Sequence, residues 1–558
     1  MVGTAKEREV ELKVLYPTWD SFTLWTYFEK NCRRFYAREF VVDGDKIYTY
    51  GSVLEQAERA ARGLQAFGLR KGSRVAVKLK NRVEYVAVIF ALAKIGCIRI
   101  SINTGIRQEE QSYLLQYADA EFLISEEVVR VWKDKHAPTG RVLVAELGAP
   151  QRAPLPWEDL LTLALADSVE EETESENAHP SPSEVCELMF TSGSTSRPKG
   201  VMLTHDMVLR SAFATANTRH METGRRICLP IPLFHAMAYV EGLLAALTVG
   251  GCVLLSRIKF DVQDTLERMI RYRANDIVCV SSVMVRLLTQ GRRPDEGFPD
   301  MHAAYWAASC PDWVWGKAGA FFGIRDIGTG YGMTECGSTS NLFVGTEIPD
   351  GYIGKCHGCL KHAGVAAVPE GTDRLLELEI RNMATGKRCS PGEVGEIVFR
   401  GITVTPGYYK DPEATAKALD RDGWFHSQDL GVMDGKGYLT FLGRNDDMYK
   451  VNGENVSPWY IEEIIGRQKN VKQVEVVGIP HACCGQVGVA FVEVYRRSRK
   501  SENELVRFCK ENLARFQQPA YIFLMNGEDW PKTGSGKISK GKLRKLAIEE
   551  IQNQKEAK

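Results

Sequence analysis

Short apolar segments of strand length alternate with longer helical segments through most of the 558-residue chain, and this alternation constrains the fold most strongly. The segment 74–79 predicts a strand, 83–95 predicts an apolar helix, and 97–101 predicts the next strand. The same order returns at 226–256 and again at 261–290. Strands that alternate with helices form βαβ units and largely parallel sheets. The sequence therefore predicts an α/β fold for most of the chain.

The predicted elements become shorter after about residue 440. Asn452-Gly453 predicts a type I′ turn between two short strands. Ser457-Pro458 then predicts the start of a helix, with the serine as N-cap and the proline in the first turn. We therefore expect two domains: a large α/β body of residues 1–443 and a small, mobile α+β domain of residues 444–558.

Charge and hydropathy exclude several classes of protein. Lys plus Arg and Asp plus Glu both number 71, and a net charge of zero argues against broad electrostatic binding to nucleic acid or an anionic membrane. The mostly apolar segment 227–255 contains His235 and Glu241 and is broken by prolines, whereas a spanning helix needs about 20 unbroken apolar residues. We expect no nucleic-acid partner and no integral membrane segment. The first residues lack an apolar signal segment, so we expect a cytoplasmic protein.

The segment 190–201 is rich in hydroxyl side chains and also carries Arg197 and Lys199. It lies between a predicted strand at 187–190 and a predicted helix at 205–219. Hydroxyl and backbone N–H groups can surround phosphate oxygens, and a lysine offsets their charge. The spacing is not that of the common P-loop. The segment nevertheless predicts a loop that binds a polyphosphate.

Four later segments add groups suited to a nucleotide and a metal. Glu335 closes a glycine-containing segment and is a candidate oxygen ligand for Mg²⁺. Asp429 follows Ser427-Gln428 and offers a carboxylate that can accept two bonds from ribose hydroxyls. Arg444 stands close to Asp446 at the predicted domain boundary, and Lys537 is a glycine-flanked lysine on a predicted exposed loop.

These five segments, in this order, resemble the adenylate-forming superfamily, which contains acyl-CoA synthetases, beetle luciferases and the adenylation domains of peptide synthetases. The resemblance runs from about Tyr48 to Leu546, and it is closest to the bacterial carnitine/crotonobetaine–CoA ligase branch. It implies a large domain that binds ATP and the acyl group, with ATP, Mg²⁺ and coenzyme A as co-substrate. The ribose segment of the family usually reads Thr-Gly-Asp, where this chain has Ser427-Gln428-Asp429.

The resemblance also implies a role for each matching residue. The phosphate loop would comprise Thr191, Ser192, Gly193, Ser194, Thr195 and Lys199, with further phosphate and Mg²⁺ contacts from Thr334 and Glu335. The adenine contacts would be Ser309 and Tyr331, and the ribose ligands Asp429 and Arg444. Asp446 would be the hinge, Lys537 the adenylation lysine, Lys450 and Gly453 the surface for the thiol step, and His235 the gate of the acyl pocket.

We therefore expect an AMP-forming acid–thiol ligase that joins a small carboxylic acid to coenzyme A through an acyl-adenylate and releases pyrophosphate and AMP. An adenylating enzyme that loads a carrier protein in trans is the alternative. A non-enzymatic binding module is a third class, which we would expect to lack Lys537 or Glu335, and the chain has both.

The acid itself is predicted from the helix after His235. Its small and apolar side chains favour a medium-sized, largely apolar acid. Glu241 lies four residues after Met237 in this helix, and because an unpaired buried carboxylate is costly, we expect it to point outward into solvent. Straight-chain or aryl acids would then be better substrates than betaines.

Overall fold

Two large β-sheets with their helices precede a third, smaller sheet along the chain. The structure is a computed structural model. It describes residues 22–106, 108–126, 143–146, 155–163, 180–191, 198–256, 260–307, 313–324, 326–344, 359–362, 376–435, 437–452, 454–481, 484–498, 501–532 and 538–556.

The strands, in chain order, are β1 (Glu39–Asp43), β2 (Lys46–Thr49), β3 (Arg74–Lys78), β4 (Ile98–Ser101), β5 (Phe122–Ser125), β6 (Leu143–Glu146), β7 (Leu155–Pro156), β8 (Val185–Thr191), β9 (Lys199–Thr204), β10 (Arg226–Leu229), β11 (Cys252–Leu255), β12 (Asp276–Cys279), β13 (Ala303–Ala307), β14 (Asp326–Met333), β15 (Gly337–Val344), β16 (Cys359–His362), β17 (Leu376–Arg381), β18 (Val394–Gly401), β19 (Phe425–Met433), β20 (Tyr438–Arg444), β21 (Tyr449–Val451), β22 (Glu454–Val456), β23 (Val471–His481), β24 (Gly485–Val494) and β25 (Tyr521–Met525).

The α-helices are α1 (Leu24–Arg34), α2 (Tyr50–Ala66), α3 (Val83–Ile95), α4 (Gln108–Tyr117), α5 (Trp157–Leu163), α6 (His205–Thr218), α7 (Ala245–Thr248), α8 (Val262–Arg271), α9 (Ser281–Gln290), α10 (Trp313–Phe322), α11 (Pro412–Ala418), α12 (Pro458–Gly466), α13 (Ser501–Asn512) and α14 (Lys540–Glu556). A π-helix covers Met237–Leu244, and a 3₁₀ turn covers Asn445–Asp447.

The seven-stranded sheet has the order β7-β6-β5-β3-β4-β8-β9, and its central strands β5, β3, β4 and β8 are parallel. Helix α3 joins β3 to β4 and is apolar almost all round, as expected of a helix buried on every side. It ends at Gly96, whose φ of 81° is the left-handed conformation that favours glycine at a helix end. The stacked rings of Phe28 and Phe90, 3.7 Å apart, join α1 to α3 within the core.

The thirteen-stranded sheet has the order β17-β18-β19-β20-β16-β15-β14-β13-β12-β10-β11-β1-β2. Strands β10 to β14 include the parallel pairs expected of βαβ units, whereas β14 to β20 pair in antiparallel fashion. One hydrophobic core includes buried residues from both large sheets and their helices. The α/β fold class predicted from the alternation is therefore confirmed.

Two elements differ from the sequence-based expectation. The segment after the predicted phosphate loop is a strand, β9, which pairs with β8, so the loop joins two antiparallel strands rather than leading straight into helix α6. The helix after His235 lies where it was predicted, but its first eight residues form a π-helix and only its last turn is α-helical.

The small sheet has the order β22-β21-β24-β23, with β25 paired to β24. The hairpin predicted around Asn452 is confirmed, since Val451 pairs with Glu454 and Asn452 has a positive φ of 50°. Separate hydrophobic cores formed with α12 and α13 on one side and α14 on the other stabilise this sheet. The last strand of the long sheet ends at Arg444 and the small sheet begins at Tyr449. The domain boundary at 443/444 stays a prediction, and we adopt it as a proposal below.

Within the described residues, no helix is both long enough and apolar enough to cross a membrane.

Candidate active site

Asp429, in the middle of strand β19, lies at the centre of a polar cluster with residues near the ends of β14 and β20. The Tyr331 hydroxyl donates a hydrogen bond to Asp429 Oδ2 at 2.7 Å. Arg444 Nε lies 3.2 Å from Oδ1, because Asp429 and Arg444 are directly opposed on the antiparallel strands β19 and β20. Asp429 is only 4% exposed, and its charge is therefore compensated by a guanidinium and a phenol. The carboxylate is fixed in one orientation at the edge of the sheet.

Gln428 explains how this chain departs from the Thr-Gly-Asp pattern. Its φ is +61°, the left-handed conformation in which a glycine would be favoured. Glu396 stabilises this conformation because its Oε1 accepts bonds from the Gln428 backbone N at 2.9 Å and from Nε2 at 3.1 Å. Ser427 donates its hydroxyl to the Ile397 carbonyl at 2.6 Å and accepts a bond from the Asp429 N–H. The substituted segment thus still presents Asp429 in a fixed position.

Glu335 stands in the turn between β14 and β15, close to the same cluster. The Tyr408 hydroxyl donates to Glu335 Oε1 at 3.0 Å, and the Thr405 N–H donates to the Glu335 carbonyl at 2.7 Å. Burial raises the pKa of Glu335, while the Tyr408 bond and the positive charges of Arg444 and Lys199 act in the opposite direction. The Glu335 backbone N–H also hydrogen-bonds with the carboxylate, so two donors hold this buried group in place.

Lys199 reaches this cluster from the second large sheet. It opens β9 directly opposite Thr191, the last residue of β8, so the two residues frame the loop between these strands. Its ammonium lies 4.9 Å from the centre of the Tyr408 ring. The structure therefore brings together five predicted residues from four separate segments: Lys199, Tyr331, Glu335, Asp429 and Arg444.

The remaining predicted residues are distributed as follows. Thr334 is in the same turn as Glu335, and His235 lies directly before the π-helix, on a loop held by two bonds from the Asn81 side chain to Ile231 and Leu233. Lys450 is exposed on β21 of the small sheet, and Asp446 is in the 3₁₀ turn that precedes it. Outside the described residues lie Ser192, Gly193, Ser194, Thr195, Ser309, Gly453 and Lys537.

Tyr408 and Thr405 were not identified from the sequence. Both belong to the segment 405–409, which carries Gly407 with a φ of 136° and joins the two large sheets through the Met202 and Gly200 backbone. Burial and the neighbouring Glu335 hold the pKa of Tyr408 far above its ordinary value, so its hydroxyl remains a donor to the carboxylate. The signal that was available is the Pro406-Gly407-Tyr408-Tyr409 run, which combines turn residues with two tyrosines.

The expectation that Glu241 points into solvent is wrong. Its carboxyl hydrogen-bonds with Tyr305 of β13, and burial raises its pKa to about 7. The physical reason is the packing of the π-helix, whose residues Ala238, Tyr239, Val240, Gly242, Leu243 and Leu244 are all buried. A helix buried over most of its surface leaves Glu241 only partly accessible beside Tyr305, and not on an open solvent face.

The sequence relationships agree with this geometry. The AMP-binding enzyme family profile matches residues 28–409, and that of the AMP-binding enzyme C-terminal domain matches residues 460–537. The chain belongs to the AMP-binding enzyme family.

Two curated relatives are similar to this chain along almost their whole length. A Bacillus subtilis (strain 168) protein named "Putative acyl-CoA synthetase YngI" is 31% identical over 554 residues, which cover 94% of this chain and 97% of that protein. A crotonobetaine/carnitine–CoA ligase of Salmonella heidelberg is 28% identical, over 94% of this chain and 98% of its own. The predictions of an adenylate-forming enzyme and of an AMP-forming acid–thiol ligase are confirmed.

Solved structures of CoA ligases share the fold of this chain. The o-succinylbenzoate CoA synthetase of Bacillus subtilis, solved with its acyl-adenylate intermediate, superposes with a TM-score of 0.77 at 24% identity, over 94% of this chain and 98% of that one. An anthranilate CoA ligase in complex with anthranoyl-AMP gives a TM-score of 0.80 at 22% identity, over 95% and 98% of the two chains. At these identities the likeness concerns the fold alone.

Proposed function

We propose that this protein joins a carboxylic acid to coenzyme A at the expense of ATP, in two steps through an acyl-adenylate. The observation that carries the proposal is the cluster at the sheet edge, where the fixed Asp429–Tyr331–Arg444 group lies beside Glu335 and Lys199. The cluster contains a carboxylate acceptor, a second buried carboxylate and two cations. These are the groups needed to hold a ribose, a metal ion and phosphates.

The chemistry requires two steps because a carboxylate oxygen is a poor leaving group. In the first step the carboxylate oxygen attacks the α-phosphorus of ATP, and the bond to pyrophosphate breaks. In the second step the thiol attacks the acyl carbon, the bond to AMP breaks, and the thiol proton is released. Division of one difficult displacement into two easier ones is the logic of covalent catalysis. The protein contributes mainly positioning and electrostatic stabilisation.

Each predicted nucleotide-site residue has a proposed part in the first step. Asp429 accepts the ribose hydroxyls, and Tyr331 and Arg444 hold it in place, with Tyr331 and Ser309 beside the adenine. Lys199, Thr334 and residues 191–195 contact the phosphates. Glu335 would hold Mg²⁺, since a carboxylate suits a hard cation that keeps waters and phosphate oxygens in its shell. When bound, the ion would neutralise charge on the phosphates.

The small domain would supply the remaining groups. We propose that the boundary lies at 443/444 and that Asp446, in the turn between the large and small sheets, belongs to the hinge. Lys537 would approach the α-phosphate in the first step, and the hairpin with Lys450 and Gly453 would face the thiol in the second. Movement about a hinge between the two steps would be a gating motion over one site.

The test is a two-stage assay with a panel of carboxylic acids. We expect acid-dependent pyrophosphate release with ATP and Mg²⁺, and AMP release that requires coenzyme A. Glu335→Gln should lose pyrophosphate release, whereas Glu267→Gln, an exposed carboxylate on α8, should retain it. AMP release that depends on a phosphopantetheinyl carrier protein but not on coenzyme A would favour carrier loading, and absence of pyrophosphate release with every acid would refute adenylation.

A further inference from the structure

Glu241 is the one acidic residue in the otherwise uncharged π-helix Met237–Leu244. The helix packs closely on its neighbours: a Cβ added at Gly242 would stand 2.6 Å from Leu229 Cδ1 on β10. Glu241 itself, however, is not among the fully buried residues and keeps part of its surface accessible. π-Helices are rare and are frequently found at functional sites. An acidic side chain in such a helix, next to the segment that carries His235, requires a physical explanation.

The surroundings of Glu241 hold it in place without neutralising it. The Tyr305 hydroxyl hydrogen-bonds with its carboxyl. Arg219, at the end of α6, is the nearest cation to act on it, but the Arg219 guanidinium pairs with Asp276 of β12 at 2.5 Å and lies 4.7 Å from the Tyr305 ring centre. Among the described residues, no lysine or arginine lies within ion-pair distance of Glu241.

Glu241 as a residue is partly accessible, whereas its carboxyl is desolvated strongly enough to raise its pKa to about 7. The Glu241 residue is partly accessible, its carboxyl has a hydroxyl neighbour, and no counter-ion lies beside it within the described protein. Such a carboxyl is suited to bind a cationic group of a ligand.

The position of Tyr305 shows how far Glu241 lies from the nucleotide cluster. Strand β13 runs parallel to β14, with Tyr305 opposite Gly328 and Ala307 opposite Gly330, the residue before Tyr331. Tyr305 therefore lies three residues, or about 10 Å, along the strand direction from the level of Tyr331. A short acid with its carboxylate at the nucleotide edge would place its distal end near Glu241.

On the basis of the function proposed above, we propose that Glu241, positioned by Tyr305, determines specificity in the acyl site and selects short carboxylic acids that carry a distal cationic group, either ammonium or quaternary ammonium. This choice reverses the preference for straight-chain or aryl acids expected from the sequence. The reason is that the helix has no open solvent face, and Glu241 is only partly accessible within the packed protein.

The test compares acids of equal shape that differ in charge. The probes are 4-(trimethylammonio)butanoate and its neutral carbon isostere 5,5-dimethylhexanoate, with 5-aminopentanoate and hexanoate as a second pair. The kcat/KM for pyrophosphate release should favour the cationic member of at least one pair by about tenfold or more, the size of one charge contact in a partly desolvated site. The two pairs distinguish a quaternary from a primary ammonium.

Two variants and a control locate the effect. Glu241→Gln keeps the shape of the side chain and should bring the ratio of kcat/KM for the cationic acid to that for its neutral isostere down to about one. Tyr305→Phe should reduce the preference, and Glu267→Gln, an exposed carboxylate of the same charge on α8, should leave it intact.

The preference should also rise with pH through about 7 as Glu241 ionises. The charged and titratable groups near Glu241 are Arg219 after α6, Arg225 before β10, Asp276 on β12, Tyr305 on β13 and the preceding His235. A pH-dependent preference that survives in Glu241→Gln would assign it to another of these groups and overturn the proposal.

Equal or better rates with the neutral isosteres in the wild-type protein would overturn it as well, while the proposed ligase function would stand. A higher kcat/KM with 5-hydroxypentanoate than with every cationic acid would also overturn the specificity proposal and leave the ligase function standing. Failure of all acids to release pyrophosphate would instead remove the proposed function itself.

Discussion

Replacement of Asp429 by Asn tests the ribose site quantitatively. Asp429 Oδ2 already accepts the Tyr331 hydroxyl, and Oδ1 faces Arg444. An amide that keeps the Tyr331 bond on its oxygen can present only NH₂ to the ligand, so at least one ribose hydroxyl loses a charged acceptor. A hydrogen bond to a charged group contributes about 1.5–3 kcal/mol, so the Kd for ATP should rise by about 10- to 150-fold.

A double-mutant cycle separates this loss from a general distortion of the site. ATP, 2′-deoxy-ATP and 3′-deoxy-ATP are titrated into the wild-type and Asp429→Asn proteins, and binding is measured by calorimetry. If Asp429 binds the ribose hydroxyls, removal of a hydroxyl should weaken binding to the wild type but hardly further weaken binding to the variant. Additive losses, with a coupling energy below about 0.5 kcal/mol, would refute the assignment.

The matched control is Asp422→Asn, an exposed carboxylate in the turn before β19, for which we expect unchanged ATP binding. Arg444 is 47% exposed, so solvent can hydrate its charge when Asp429 is neutralised. We therefore expect the Asp429→Asn protein to remain folded, which thermal unfolding verifies.

Three further predictions address the two half-reactions and the stability. Lys537→Ala should reduce acyl-adenylate formation by about 10²- to 10³-fold, while thioester formation from supplied acyl-adenylate continues. Equal loss in both half-reactions would contradict a role of Lys537 in the first step alone. Gly453→Trp should block the thioester step and leave ATP–pyrophosphate exchange nearly normal, because a bulky residue beside Asn452 distorts the turn and obstructs the thiol. A large drop in exchange would show that the hairpin acts in another step. Burial lowers the pKa of His205 from 6.5 to about 4, and its neutral Nδ1 accepts the Leu24 N–H at 3.1 Å. The unfolded state therefore binds a proton first, and the free energy of unfolding should fall by up to about 3 kcal/mol as the pH drops from 6.5 to 4. His205→Asn, which retains an acceptor but does not titrate, should lose this component in urea unfolding, and equal pH slopes in both proteins would disprove the explanation.

Local patterns predicted most of the large body. The helix Val83–Ile95 and its end at Gly96 were predicted correctly because apolar composition, length and a terminal glycine all agree there. The strand β9 was missed although Val201 and Leu203 are buried and alternate with more exposed residues, because the hydroxyl-rich run before it favoured a loop. The π-helix could not be predicted, since its hydrogen-bond pattern depends on tertiary packing that apolar composition does not specify.

The candidate site was predictable as a set of residues but not as a geometry. Asp429 and Arg444 were identified separately, whereas their contact depends on the register of β19 and β20, which includes an irregularity after Leu430. Tyr408 reaches Glu335 across 73 residues of sequence, and no spacing rule connects them. Glu241 was misplaced because its environment is made by strands and helices that only the folded chain brings together.

The fate of a carboxylate oxygen tests the central claim most directly. An acid labelled with oxygen-18 in its carboxylate is incubated with ATP, Mg²⁺, coenzyme A and the enzyme, and the products are analysed by mass spectrometry. If the carboxylate attacks the α-phosphorus and the thiol then breaks the acyl–oxygen bond, the AMP formed carries one labelled oxygen and the pyrophosphate carries none. ADP together with labelled inorganic phosphate would show attack at the γ-phosphorus instead and would contradict the acyl-adenylate route.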